Sequence, residues 1–168
     1  MSVLDFIKEA GEKLFGREAK AAEPAQAAPA ADAAQKAEAA NRTAGEAIEN
    51  YIRKMGLDAT GLSVQVDGAQ GKVTVFGVAP DQATREKIIL CCGNVEGVQQ
   101  VEDKMSVNVE SESAQWHTVA KGDTLSAIAQ KYYGKASAYN AIFEANRPML
   151  SHPDKIYPGQ KLRIPPQA

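Results

Sequence analysis

The chain has 168 residues, 44% of them hydrophobic, which is enough apolar content for one medium domain or two small ones, and two small domains fit better. Its 19 basic and 21 acidic residues leave a net charge of −2 and are scattered, with no stripe that could track phosphates, so nucleic acid is excluded as an expected partner. In the opening MSVLDFIKEAGEKLFG, Asp5, Lys8, Glu9 and Glu12 break every apolar run. No signal peptide and no transmembrane helix is expected, and the cytoplasm is the expected compartment. Cys91 and Cys92 are adjacent, where a disulfide would be strained, so nothing points to an oxidising environment.

Residues 1–18 are expected to hold an amphipathic helix, with Leu4, Ile7, Gly11 and Leu14 at spacings of three and four. Ser2 and Asp5 resemble a capping box, and Gly11 is a candidate stop or bend. So short a helix needs something to pack on. It is read as a core-capping or site-completing segment or a membrane-surface anchor; Asp5, Glu9 and Glu12 on its polar face favour docking on its own protein. Residues 19–38, almost entirely Ala, Pro, Gln, Glu and Lys, read as a linker, extended in its proline-containing half, with alanines near Gln35 able to run on into the next helix.

Residues 39–110 read as helix, strand, strand, helix, strand. Ala44, Ala47, Ile48, Tyr51, Ile52 and Met55 share a helical face that stops at Gly56. Leu62, Val64 and Val66, then Val73 and Val75, alternate with polar residues around a DGAQG turn, which predicts a hairpin. A second helix begins at Pro80–Asp81, buries some of Ala83, Ile88, Ile89 and the cysteines, and ends at Gly93–Asn94, two residues that tolerate left-handed backbone. Val101, Met105, Val107 and Val109 mark a last strand, so one sheet face covered by two helices makes an α+β sandwich. Residues 115–166 then read as strand, helix, helix, strand. Gly122, Asp123 and Thr124 cap the first helix, Ile142 and Phe143 sit on the second, and Leu162–Arg163–Ile164 pairs with the strand from Trp116 to Val119.

No catalytic constellation emerges, and a non-enzymatic protein is expected. His117 and His152 lack metal-ligand spacing and are given surface or packing roles. Cys91 and Cys92 are read as small core fillers in preference to a redox pair. Asp123, Thr124 and Ser126 fit helix capping better than a hydrolytic triad and are set apart from both histidines. Trp116, Tyr132, Tyr133, Tyr139 and Tyr157 are able to stack on sugar, but several are needed for the core of so small a domain.

The combination of WHTVAKGDTLSAIAQKYYG, EANRP and IYPGQKLRIP resembles a LysM domain, which implies two helices on a two-stranded sheet and a fold that usually binds N-acetylglucosamine polymers. GxVTVxGV, the helix after it and GVQQVEDKM are similar to a BON domain. With DFIKEAGEKLF at the start, the order of parts resembles the cytoplasmic potassium-binding protein family (Kbp, or YgaU), though the linker is longer and richer in Ala and Pro than that family leads one to expect. The resemblance implies a potassium ion held by backbone carbonyls of Ile7, Ala10 and Glu12 in FIKEAGE and of Gly93, Val95 and Val98 in GNVEGV. A large, weakly hydrated cation suits several neutral carbonyl oxygens, and a helix C-terminus offers them unpaired beside the negative end of its dipole. From residue pattern alone, both segments also fit ordinary glycine caps.

The expectation is therefore a monomeric cytoplasmic sensor or buffer of potassium, with rubidium, caesium and ammonium as candidate competitors, compacted by the ion and not stably inserted in a membrane. The alternative is a peptidoglycan or N-acetylglucosamine binder of the cell envelope, gripping glycan with the loops around 122–125 and 149–156. A further alternative is an adaptor that meets phospholipid through the BON domain and the amphipathic N-terminus.

Overall fold

The computed structural model describes residues 30–167, and the expected helix of residues 1–18 lies outside them. The described residues form five strands, four α-helices and a single turn of 3-10 helix, arranged as two units. The first contains α1 (Ala30–Lys54), β1 (Thr60–Asp67), β2 (Lys72–Asp81), α2 (Gln82–Gly93) and β3 (Gln100–Val109). The second contains β4 (Gln115–Thr118), α3 (Leu125–Tyr133), the 3-10 turn Ala136–Ala138, α4 (Tyr139–Ala145) and β5 (Lys161–Ile164).

Helix α1 takes up residues 30–38, which composition assigned to the linker. Alanine is the strongest helix former, and the run AADAAQKAEAA costs nothing to continue once the turns after it are held by packing. Residues 31–40 are exposed on every side; burial begins with Ala44 and follows the expected stripe through Ile48, Tyr51 and Ile52. Gly45, in mid-helix, marks close approach to the sheet, because a Cβ there would stand 2.2 Å from the Val64 carbonyl oxygen. One turn on, Glu49 Oε1 accepts the Val64 amide at 2.8 Å, so the helix satisfies an edge donor of β1. Gly56, with φ of 70°, follows the helix end.

β1 pairs antiparallel with β2, with Val64 opposite Val75, and β3 lies parallel to β2 on its other side. Fully buried Val73, Val75, Ile52, Ile88 and Cys92 fill the space between this sheet and its two helices. Such burial contributes about 1.5–3 kcal/mol for each large side chain. In the second unit Val119, Leu125, Ile128, Ala129, Ile142, Leu162 and Ile164 form a separate core. Trp116 faces Arg163 and His117 faces Leu162 across its two strands. Thr124 caps α3 by accepting the Ala127 amide at 3.1 Å, and Gly134, left-handed at φ of 68°, ends it.

Helix α2 is shared by both units. Asp81 caps it by accepting the Thr84 amide at 2.8 Å. Ile88, Cys91 and Cys92 face the first core, whereas Gln82, Glu86 and Leu90, spaced by four, are also buried. Glu86 explains why: its Oε2 accepts from Arg163 Nε of β5 at 2.6 Å, and its Oε1 accepts from Gln82 Nε2 at 2.8 Å and from the Ala114 amide at 2.9 Å. Both partners of the ion pair are buried, so each charge relies on the other.

Arg163→Met should therefore cost about 3–5 kcal/mol, leaving a buried carboxylate without its cation. The double variant Glu86→Gln/Arg163→Met should recover at least about half of that loss, because a neutral amide still accepts the Ala114 amide. Urea denaturation of the two variants and the wild type measures both figures.

Candidate functional site

The free edge of β5 determines what lies beside the C-terminus of α2. β4 occupies one side of this strand, and on the other the N–H and C=O groups of Lys161 and Arg163 need partners. Two asparagine side chains supply them. Asn146, almost wholly buried at the end of α4, donates from Nδ2 to the Arg163 carbonyl at 2.8 Å and accepts the Arg163 amide at 2.8 Å. Asn94, just past α2 in the other unit, donates to the Lys161 carbonyl at 3.1 Å and accepts the Lys161 amide at 2.8 Å. Each carboxamide thus stands where a neighbouring strand would.

Asn94 also corrects an expectation. The helix ends without a left-handed residue: Asn94 has φ of −98°, and Gly93 is not among the glycines of positive φ. Asparagine is used here for its side chain. The left-handed turn comes at Gly97, with φ of 87°, where the chain swings toward β3.

Of the six expected ion-site residues, Gly93, Val95 and Val98 stand together in this loop, while Ile7, Ala10 and Glu12 lie outside the described residues. The Asn94 amide bonds back to Leu90 at 3.1 Å, the Val95 amide to Cys92 at 3.3 Å, and the Val98 amide to the Val95 carbonyl at 3.1 Å. Among the described residues no backbone amide donates to the Gly93 or Val98 carbonyl. Val95 is buried and Val98 packs on the first core, so the loop is anchored by side chains while backbone oxygens remain available.

The β1–β2 turn buttresses the loop. Gly71, at φ of 59°, accepts the Gln99 amide at 2.7 Å and the Gln100 amide at 3.2 Å, and a Cβ on it would stand 2.9 Å from the Gly97 oxygen. The same turn meets α1, because Asn41 Oδ1 accepts the Gly68 amide at 3.0 Å. The exposed first turns of α1 thus start from the end of the domain that carries the loop.

The groups set aside in the sequence have other work. Cys91 and Cys92 are buried, and burial pushes the Cys91 thiol up to about 12 and the Cys92 thiol well above its ordinary value. His117 does meet Asp123, contrary to the reading that set them apart: Nε2 stands 2.9 Å from Asp123 Oδ2, and Nδ1 stands 3.2 Å from the Tyr132 hydroxyl. The Ala120 amide first, and His117 second, hold the Asp123 carboxyl below the usual range. Both ring nitrogens are occupied in packing α3 on β4, and Ser126 takes no part. Tyr132, Tyr133 and Tyr139 pack on the second core, and Trp116 is 44% exposed. Among the described residues no three His, Cys, Asp or Glu side chains could hold a metal ion, and no helix is long and apolar enough to cross a membrane.

Residues 42–109 match the family model of the BON domain, and residues 117–165 that of the LysM domain. The chain is thus a two-domain protein that joins a BON module to a LysM module. It is 40% identical over 166 residues to the potassium binding protein Kbp of Escherichia coli O6:H1 strain CFT073, an alignment that covers 98% of this chain and 99% of that protein. The chain belongs to the Kbp family. Shorter similarities connect it to an uncharacterized protein of Deinococcus radiodurans, 53% identical over 49 residues (29% of this chain and 19% of that one). Another is the uncharacterized protein YqbP of Bacillus subtilis strain 168, 38% identical over 58 residues (29% of this chain and 26% of that one).

Two outcomes follow from this geometry. Gly71→Ala should cost about 1–2 kcal/mol, since alanine would be left-handed there and its Cβ would push on Gly97; thermal melting reads the loss. Both thiols should stay closed to a thiol-specific disulfide reagent at neutral pH, because burial keeps them protonated, and both should react once the protein unfolds.

Proposed function

We propose that this protein binds potassium through a cage of backbone carbonyls, with Gly93, Val95 and Val98 of the BON domain on one side and Ile7, Ala10 and Glu12 of the N-terminal segment on the other. The observation that carries this reading is a pair of carbonyls, Gly93 at the C-terminus of α2 and Val98 in the loop after it, to which no backbone amide among the described residues donates, in a chain similar over nearly its full length to a potassium binding protein. The dipole of α2 adds partial negative charge there, and neutral oxygens suit a large monovalent cation better than a small, harder one.

The chain is long enough to close the cage. Residues 13–29 separate Glu12 from α1, a stretch that reaches about 55 Å when extended. The exposed start of α1 carries it only about 16 Å beyond Asn41. The ion then clamps the N-terminal segment onto the BON domain and makes the protein more compact, which suits a non-enzymatic sensor or buffer of potassium working as a monomer in the cytoplasm. Glycan binding through the LysM loops is less favoured, because Met149, at the head of one loop, packs on the BON core.

Titrating metal-stripped protein with potassium and with sodium at matched ionic strength should give saturable heat and a raised melting temperature with potassium alone. Small-angle scattering should show a smaller radius of gyration in potassium. Deleting residues 1–18 should abolish the heat, whereas Ile7→Val should leave it unchanged. Equal responses to the two ions would refute the reading.

A further inference from the structure

Lys161 is the LysM residue that meets the end of α2, and its backbone is pinned there through both bonds to Asn94. Its half-buried side chain runs back over Gly93: a Cβ placed on Gly93 would stand 3.3 Å from Lys161 Cδ and 3.7 Å from its Nζ. Among the described residues no ion pair or hydrogen bond holds this ammonium, although lysines on the BON sheet do find carboxylates, as Lys72 does with Glu102 at 2.6 Å. A monovalent cation on a flexible stem therefore lies against the loop in which the Gly93 and Val98 carbonyls accept no backbone amide among the described residues.

We infer that Lys161 is a tethered competitor of the bound cation, and that its charge sets the affinity of the site. This rests on the reading of the Gly93–Val98 loop as one half of a potassium site. In the ion-free protein the ammonium offsets the negative end of α2 and the unpaired carbonyls around it. An ion entering the loop meets a like charge a few ångströms away, which must swing out to solvent or repel it, and either course weakens binding. The LysM domain thereby acts on the ion through one side chain supplied to the BON loop. The fold does not need that side chain, because Asn94 holds only the backbone of residue 161.

The test is a calorimetric potassium titration of the full-length wild type, Lys161→Met and Lys161→Arg at matched ionic strength, with ion-free melting curves for all three. Methionine keeps the length and apolar stem of lysine without its charge. Lys161→Met should bind potassium about three- to tenfold more tightly than the wild type, and Lys161→Arg should stay near it. The gain should shrink as ionic strength is raised, a readout that a purely structural role would not give. Wild-type or weaker affinity in Lys161→Met would overturn the role of Lys161 while leaving the ion site standing. Absence of potassium heat in all three proteins, each folded by its melting curve, would remove the ion site and this inference together.

Discussion

A two-stranded sheet has two edges and little core of its own, and the molecule is organised around the way β5 resolves its second edge. Two asparagine carboxamides, Asn146 from the same domain and Asn94 from the other, accept and donate where a third strand would. An unpaired buried amide or carbonyl costs about 1–3 kcal/mol, so the LysM domain has a backbone reason to stay against the BON domain. The placement of Asn94 in turn fixes the end of α2, and with it the loop from Gly93 to Val98.

The buried pair of Glu86 and Arg163 acts at the other end of the same contact. Burying two charges costs several kcal/mol before their attraction returns it, so this pair is weak evidence for stability and better evidence for a single docking geometry. Gln82 and the Ala114 amide donate to the other oxygen of Glu86 and tie down the joint between the domains. α2 thus belongs to the first core and borders the second domain, with Ile88, Cys91 and Cys92 turned to that core and Glu86 paired with Arg163 of β5.

What was legible in the sequence follows from periodicity. Alternation marked Val64, Val66, Val73 and Val75 as the arms of a hairpin, whose register of Val64 with Val75 and Val66 with Val73 the structure supplies; helical spacing gave the buried face of α1, and the pairing of Leu162–Arg163–Ile164 with the strand from Trp116 was readable from two short extended runs. Three features were not legible, each for a physical reason. The alanines of residues 30–38 are as compatible with a linker as with a helix, and only the packed turns after them decide. Glu86 and Arg163, 77 positions apart, look like solvated charges until a second domain covers them. Asn94 looked like a backbone terminator because the strand edge that uses its carboxamide lies 67 positions away. Of the candidate site, the loop at 93–98 was read correctly as a place where a helix ends, whereas the open carbonyls of Gly93 and Val98 depend on where each neighbouring amide goes.

The use of backbone atoms by Asn94 has a consequence for how such a protein can diverge. A contact that reads only N–H and C=O is indifferent to the side chain beside them, so any residue but proline at position 161 keeps the two domains in register. Arg163 has no such freedom, since its guanidinium is half of a buried pair. Two residues of one strand are thus held differently: a change at 163 has to be answered at Glu86, whereas a change at 161 can alter the charge beside the loop without disturbing the docking.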